Sequence, residues 1–240
     1  MASETTASGY TEPMCGRFTL TEFTWLPGRF GLQLPMEEPP DPRYNVAPSQ
    51  QIPVIVDEGD GPVLRWMEWG FQPGWFKVAP NRPPPINARA ETLLDRPMFR
   101  DSVAKQRCLI PADGFYEWRK VPGQRVKQPV YARLKGGEPF AFAGLYTTRK
   151  DDTTGKPHPS CVIITTKPNE IMAPIHDRMP VILSREDEQR WLDHGTTEAA
   201  AVLDCLRSYP SERMEAFPVS SLVSSARNDG SDLIRPAERG

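Results

Sequence analysis

The sequence predicts a single α+β domain, built mainly from short β-strands that form a barrel-like sheet core with a few peripheral helices. Proline supplies 27 of the 240 residues, about twice its average usage, and it interrupts both helices and the interior of sheets. Short runs of β-branched and aromatic residues bounded by Gly, Pro or Asp follow one another, as strands do. No internal repeat or linker divides the chain, which favours one domain.

Nine segments carry the strand pattern. In chain order they are 52–56, 63–69, 107–111, 114–119, 129–134, 139–146, 160–166, 180–183 and 215–219. The region after Phe18 has no clear pattern and is left unassigned.

Helices are predicted in three places. Ser184 and Asp187 form a capping-box pattern, and Gly195 stands where a helix is expected to stop. A second helix is predicted in 197–207, and a third within 90–104, interrupted at Pro97. The helical spacing of the second segment rests on apolar residues at i, i+3, i+4 and i+7, namely Ala199, Val202, Leu203 and Leu206.

Charge and composition exclude several classes of protein. The net charge is −2, so a nucleic-acid site must come from a local cluster of arginines rather than from a global basic field. No apolar run approaches the length of a membrane span, and the polar residues 1–13 are no signal peptide. The four cysteines are irregularly spaced and fit neither a disulfide framework nor a metal site. We expect a monomeric, reduced, cytoplasmic protein (nucleoid-associated if bacterial) with no cofactor, metal or membrane partner.

The segment PMCGRF, residues 13–18, places Cys15 directly after Met14. If Met14 were the start and were removed, the thiol and α-amine of Cys15 would form a 1,2-aminothiol. Such a pair condenses with an aldehyde and closes a five-membered ring, which an internal cysteine cannot do. Residues 1–13 are therefore predicted to be a disordered leader or a misassigned start, and residues 14–235 the domain.

Two polar clusters beside glycine or proline are candidates for binding. In MCGRF, Gly16 would let a ligand approach the backbone, and Arg17 suits a phosphate. In PPINARAET, an extended backbone would put Asn87, Arg89 and Glu91 on one face, suited to holding an anion and a nearby nucleophile. A structural Cys-Gly pair and a solvated strand edge are the corresponding simpler interpretations.

Two further residues are candidates for proton transfer. Glu117 lies among aromatic residues in ADGFYEWRK, and desolvation there would raise its pKa into the range of a general acid. His176, in APIHDRMP, is held between prolines beside a carboxylate and an arginine. A structural ion pair and a buried structural histidine remain open as alternatives.

Seven segments taken together resemble the SRAP family, the SOS-response-associated peptidases that process abasic sites in DNA. The resemblance runs from Met14 to about residue 235. In order, the segments are MCGRF, RYNVAPSQ, WGFQPGWF, INARAET, DGFYEW, IHDRMP and VSSLVSSARNDG.

The resemblance implies covalent attachment to abasic sites in single-stranded DNA, through a thiazolidine formed by an N-terminal cysteine. It implies that Cys15 is the nucleophile, that Asn87 orients it, that Glu117 is the acid–base group and that His176 helps to open the sugar ring. It also implies a DNA-binding surface. Its residues are Arg17 and Arg89 as phosphate contacts, with Asn45, Pro48, Trp75 and Phe76 along the strand.

Two departures from the family pattern and three alternatives stay open. Thirteen residues precede Met14, and Phe76 stands where relatives often have tryptophan. The chain could instead be a cysteine peptidase acting mainly on its own N-terminus, with Cys15 as nucleophile and His176 as base. It could also be a non-covalent single-strand binder, or a β-elimination lyase that uses the amine alone.

Overall fold

The computed structural model describes residues 15–32, 41–79 and 82–237, and the predicted leader, 1–13, lies outside the described residues. Within these ranges the strands are β1 Arg17–Leu20, β2 Arg43–Val46, β3 Gln51–Asp57, β4 Pro62–Trp69, β5 Asn87–Arg89, β6 Arg107–Ala112, β7 Gly114–Arg119, β8 Gln128–Leu134, β9 Phe140–Lys150, β10 Pro157–Thr166, β11 Met179–Pro180 and β12 Met214–Pro218. The α-helices are α1 Trp25–Phe30, α2 Arg100–Lys105 and α3 Arg185–Leu192. Turns of 3₁₀ helix span Ala90–Thr92, Lys135–Gly137, Ala199–Cys205, Ser211–Arg213, Ser221–Ser224 and Ser231–Ile234.

A closed ring of five strands forms the barrel. The strands follow the order β10, β4, β3, β6 and β9, and β9 pairs back onto β10. All neighbours in the ring are antiparallel except β4 and β10, which run parallel. β5 and β11 pair with the carboxyl end of β10. The predicted barrel-like sheet core is confirmed.

A second, antiparallel sheet of order β12, β8, β7, β1 and β2 packs on the barrel. Because strand side chains alternate between faces, Phe18 and Phe115 point inwards, and both contact Phe142 of the barrel at ring distances of 5.9 and 6.1 Å. Tyr116 and Tyr131 lie on the other face, under the segment that follows β12. The sheet is therefore buried on both sides.

The turn between β6 and β7 fixes β1 in place. The carboxylate of Asp113 accepts hydrogen bonds from the backbone N–H of Thr21, at 2.5 Å, and from its hydroxyl, at 2.8 Å. Gly114 follows, and any Cβ at this position would overlap the phenol ring of Tyr131. The Asp-Gly pair of the DGFYEW segment is thus required by the packing of β1 and β8 on β7.

Eight of the nine predicted strands are confirmed, with bounds that differ by a few residues. The ninth, 180–183, is wrong in extent, because only Met179–Pro180 pair as a strand and Ile182 makes an isolated bridge. Three short strands, β1, β2 and β5, were not predicted. They have three or four residues each, too few to show a period.

The helix predicted after Ser184 is confirmed, but it ends at Leu192, before the expected stop at Gly195. α3 follows Ser184, whose hydroxyl accepts a hydrogen bond from the N–H of Asp187 at 3.2 Å. The predicted α-helix in 197–207 is instead a 3₁₀ turn, in which the buried Val202 and Cys205 are three residues apart, one 3₁₀ turn. Within 90–104, the segment around Pro97 separates the turn Ala90–Thr92 from α2.

Candidate functional site

The candidate site is centred on a contact between Cys15, two residues before β1, and Glu117 in the middle of β7. The two strands pair antiparallel, with Arg17 opposite Tyr116. This register brings the residues before β1 alongside the second half of β7. The backbone nitrogen of Cys15 consequently donates a hydrogen bond to Oε1 of Glu117, across 2.7 Å.

Glu117 is held in a desolvated position. The residue is 3% exposed, and burial is the main cause that raises the pKa of its carboxyl to about 8. The negative charge of Asp177 adds to the rise. Hydrogen bonds from the backbone N–H groups of Cys15 and Trp118, and the positive charge of Lys127, oppose it. A carboxyl with a pKa near 8 can gain and lose a proton at neutral pH, as a general acid–base group must.

The Cys15 thiol is fully buried. Burial, and then the negative charge of Glu117, raise its pKa well above the ordinary value. A thiol in this environment is protonated at neutral pH, whereas a cysteine peptidase needs a thiolate of lowered pKa. The backbone φ of Cys15 is 44°, a left-handed conformation that is uncommon for residues other than glycine. The arrangement favours chemistry that begins at the nitrogen rather than at the sulfur.

Trp69 joins the Cys15 segment to β5. Its indole packs edge-on against Phe18 at a ring distance of 5.3 Å. Its Nε1 also donates a hydrogen bond to the carbonyl oxygen of Ile86 at 2.9 Å. Phe18 lies three residues after Cys15, and Ile86 directly precedes Asn87. A single buried side chain therefore sets the position of one segment relative to the other.

β5 carries two of the predicted site residues. It runs parallel to β10, with Asn87 beside Ile163 and Arg89 beside Thr165. Asn87 is half-buried and Arg89 is exposed, whereas Ala88 between them is buried. The predicted alternation of faces is thus present over the three residues of β5.

Glu91 does not continue that face, and the expectation that it shares it with Asn87 and Arg89 is wrong. The chain turns into a 3₁₀ helix at Ala90, which redirects the Glu91 side chain. Its two carboxylate oxygens each accept a hydrogen bond from the guanidinium of Arg178 at 2.6 Å. This bidentate pair is the main cause that lowers the pKa of Glu91.

His176 lies on the loop between β10 and β11. Its Nδ1 is 2.9 Å from Oδ1 of Asp177 and accepts a hydrogen bond from the backbone N–H of Arg178 at 3.2 Å. The buried Arg178 also donates to the carbonyl oxygen of Thr165 at 2.7 Å. Through Arg178, the loop is attached both to the end of β10 and to the turn after β5.

The predicted DNA-binding residues occupy contrasting environments. Trp75 is 57% exposed, but its neighbour Phe76 is only 7% exposed, with the Arg82 guanidinium 4.9 Å from the centre of its ring. Arg89 is exposed and Pro48 is half-buried. Trp75 and Arg89 are thus exposed to solvent, whereas Phe76 is mainly a packing residue.

Arg17 and Asn45 hold the segment that follows β12. The Asn45 side chain is buried, and its Nδ2 donates to the carbonyl oxygens of Val223, Ser225 and Asn228 at distances of 2.8 to 3.1 Å. Arg17 Nη1 donates to the same Val223 oxygen at 2.8 Å. In this structure Asn45 is therefore a support for the surface; its predicted DNA contact stays a prediction.

A groove of about 560 Å³ is lined by the residues next in sequence to Cys15 and Glu117, which are Gly16 and Trp118. Arg17, Pro48 and Trp118 are among the residues that line it. Sequence reasoning considered Trp118 only as an apolar neighbour of Glu117. The alternation of side chains along β7 was the signal that could have identified Trp118 as a surface residue, because it places Glu117 and Trp118 on opposite faces of the strand.

Other site classes find no support among the described residues. All four cysteines are buried free thiols. Across 15–32, 41–79 and 82–237, no group of three or more His, Cys, Asp or Glu side chains is placed to hold a metal ion. No α-helix in those ranges is long and apolar enough to cross a membrane.

Comparison with known proteins gives a consistent set of relatives. The family model of the SOS response associated peptidase (SRAP) matches residues 14–226. The abasic site processing protein YoqW of Bacillus subtilis is 45% identical over 223 residues, covering 92% of this chain and 99% of the relative. The abasic site processing protein YedK of Escherichia coli is 30% identical over 232 residues, covering 93% and 100%. A crystal structure of a Bacteroides thetaiotaomicron protein superposes with a TM-score of 0.79 at 27% identity, covering 93% of this chain and 100% of that one.

Proposed function

This chain belongs to the SOS response associated peptidase family, and we propose that it captures abasic sites in single-stranded DNA as a covalent adduct of Cys15. The names of its relatives support the substrate class, since YoqW and YedK are abasic site processing proteins. The observation that carries the proposal is the hydrogen bond of 2.7 Å from the Cys15 nitrogen to Glu117. This contact puts the buried Glu117 carboxyl, which can transfer a proton, within hydrogen-bond distance of the nitrogen that would act as the nucleophile.

The chemistry requires Cys15 to be the first residue, so the bond between Met14 and Cys15 must be hydrolysed, whether translation begins at Met1 or at Met14. The released α-amine attacks C1′ of the ring-opened abasic sugar and forms a carbinolamine. Loss of water gives an imine. The Cys15 sulfur then adds to the imine carbon while its proton passes to nitrogen, and the thiazolidine ring closes.

Glu117 serves the proton transfers of this sequence. As a neutral acid it donates a proton to the departing hydroxyl of the carbinolamine, and as a carboxylate it takes one from the amine before attack. A free α-ammonium in place of the Cys15 peptide nitrogen would favour the carboxylate, because opposite charges lower a carboxyl pKa. The proton can then be shared across the same short contact.

The remaining candidates take the roles that the resemblance assigned. Asn87 orients the nucleophile, and His176 assists opening of the sugar ring. Arg17 and Arg89 bind phosphates that flank the lesion. Pro48 and Trp75 contact the strand, with Asn45 and Phe76 supporting this surface from beneath. We further propose that one chain acts alone on single-stranded DNA.

The peptidase alternative is limited by the state of the thiol. The raised pKa of Cys15 opposes attack by a thiolate on other proteins. Self-cleavage after Met14 is compatible with this raised pKa, because a slow reaction suffices for an event that occurs only once in the life of the chain. A lyase that uses the amine alone, or non-covalent binding alone, would not require the sulfur at all.

Substitution of Cys15 separates these functions. Protein is incubated with a single-stranded oligonucleotide carrying one abasic site, and adducts are resolved on denaturing gels after heating. We expect a heat-stable adduct with the wild type and none with Cys15→Ala. If Cys15→Ser retains strand nicking at the wild-type rate while no stable adduct forms with either protein, the lyase is correct and the thiazolidine proposal is wrong.

A further inference from the structure

We propose that the hairpin between β7 and β8 binds the phosphodiester backbone of the DNA strand on one side of the abasic nucleotide, through Arg125 and Lys127. This inference deepens the proposed function and rests on it, because the groove concerned adjoins Cys15. It assigns a binding role to residues outside every segment that carries the family resemblance.

The first observation is an uneven distribution of charge. The whole chain has 31 acidic and 29 basic residues, so the two signs are nearly balanced. Residues 118–137 nevertheless contain six Lys or Arg and no Asp or Glu. Four of those cations lie at the hairpin end, within 119–127, where they would concentrate a positive field.

The second observation is that the hairpin forms a wall of the groove of about 560 Å³ beside the site. Arg125 and Lys127 line it together with Arg17, and none of its lining residues is acidic. Gly16 also belongs to the lining. A strand attached at Cys15 would therefore enter a groove that begins at the next residue and is lined by three cations.

The third observation concerns Trp118, which also lines the groove. Its Nε1 donates to Oγ of Ser224 at 3.2 Å, and the Arg17 guanidinium lies 6.0 Å from the ring centre. An indole held in this way offers a stacking surface to any base. Cations combined with a fixed aromatic ring favour a nucleic-acid strand over an acidic peptide, which has no base to stack.

Lys127 also links the groove to the chemistry. Burial and the charge of Asp177 raise the pKa of Glu117. The N–H groups of Cys15 and Trp118 and the positive charge of Lys127 lower it. A phosphate bound to Lys127 would offset its charge and so favour the protonated acid. Occupation of the groove would thereby prepare Glu117 to donate its proton.

Binding to an undamaged single-stranded oligonucleotide, measured over a salt series, tests the inference independently of covalent chemistry. The variants are Arg125→Gln, Lys127→Gln and the double substitution. Lys156→Gln is the matched control. Lys156 is exposed and directly precedes the first residue of β10, whereas the His176 loop follows the last. We expect the double variant to bind more weakly and its salt slope to fall by about 1.4, or ~0.7 per lost phosphate contact, while the control is unchanged.

A second series uses oligonucleotides with a non-reactive abasic analogue, shortened on one flank or the other. Shortening the flank that fills the groove should abolish the difference between wild type and double variant, and shortening the opposite flank should not. Equal salt slopes for the wild type and the three hairpin variants would overturn the inference, and so would equal competition by polyglutamate and single-stranded DNA. If the wild type forms no abasic adduct but the flank dependence holds, the groove assignment stands and the proposed covalent function fails.

Discussion

The backbone nitrogen of Cys15 and the carboxyl of Glu117 are joined by a hydrogen bond of 2.7 Å, inside a region where both residues are buried. The contact links residues 102 positions apart in sequence. It exists because β1 pairs antiparallel with β7 in one register. A shift of that register by one residue would turn the alternate face of β7 towards Cys15, so the register determines the site.

Glu117→Gln should slow formation of the abasic adduct by about 10²- to 10⁴-fold, the usual contribution of general acid–base catalysis. Glutamine keeps the shape and can accept the Cys15 hydrogen bond, but it cannot transfer a proton. Single-turnover assays over a pH series measure the effect. The wild type should lose assistance as pH rises through the pKa of Glu117, which the free α-ammonium of Cys15 lowers from about 8, and the variant should lack this limb. If the variant reacts at the wild-type rate at every pH, Glu117 has only a structural role and His176 is the acid–base group.

The same substitution should change how stability depends on pH. The folded-state pKa of Glu117, about 8, exceeds its ordinary value of 4.5. The folded chain therefore binds more protons than the unfolded chain between these values, and stability must fall as pH rises. The contribution is fully present below pH 4.5 and is lost as pH rises through about 8.

Urea denaturation of the 240-residue chain at several pH values measures this loss. Relative to the wild type, Glu117→Gln should gain up to about 5 kcal/mol between pH 4.5 and 8, from ~1.4 kcal/mol per pKa unit. Glu212→Gln, at an exposed carboxyl, is the control and should show no such trend. A constant difference between Glu117→Gln and wild type over this range would contradict the raised pKa.

The ion pair of Arg178 and Glu91 should position the His176 loop. Because hydrogen bonds to charged groups contribute about 1.5–3 kcal/mol, Arg178→Gln and Glu91→Gln should each lower stability by roughly that amount. The double variant should lose little more than either single one. The pair's contribution is present above the ordinary pKa of Glu91 and is lost as pH falls through its lowered value.

A positioning role predicts more than lost stability. Arg178→Lys keeps the charge but not the bidentate geometry, so its adduct rate should lie between those of wild type and Arg178→Gln at a temperature where all three are folded. Adduct rates identical in the three proteins would show that the pair supports the fold alone.

Trp75 and Phe76 should separate binding from stability, because one is exposed and its neighbour is buried. Trp75→Ala should weaken binding of single-stranded DNA by an amount typical of one base–aromatic stack, about 1–3 kcal/mol, with little change in unfolding free energy. Phe76→Ala should cost about 3 kcal/mol of stability, the lower end for a buried phenylalanine. Titration calorimetry and urea denaturation of the pair give both quantities. The reverse pattern would show that the strand contacts Phe76.

The sequence predicted the long strands because their runs of β-branched and aromatic residues, bounded by Gly, Pro or Asp, leave a strong pattern, as in β3, β4 and β9. It could not predict β5, whose three residues become a strand only by pairing with β10. The burial of Glu117 could be predicted from its aromatic neighbours. The ion-pair partner of Glu91 could not be predicted, because Arg178 lies 87 residues away in the sequence. The structural role of Asn45 could not be predicted either, because its amide donates hydrogen bonds to carbonyl groups of a segment far away in the sequence.

Intact mass spectrometry of the natively produced protein, before and after reaction with an abasic oligonucleotide, tests the central claim most directly. We expect a chain that begins at Cys15 and an adduct whose mass is the sum of protein and DNA less one water. Chains that still carry residues 1–14 and cross-link abasic DNA at full efficiency would contradict it, because a peptide nitrogen at Cys15 cannot form the ring.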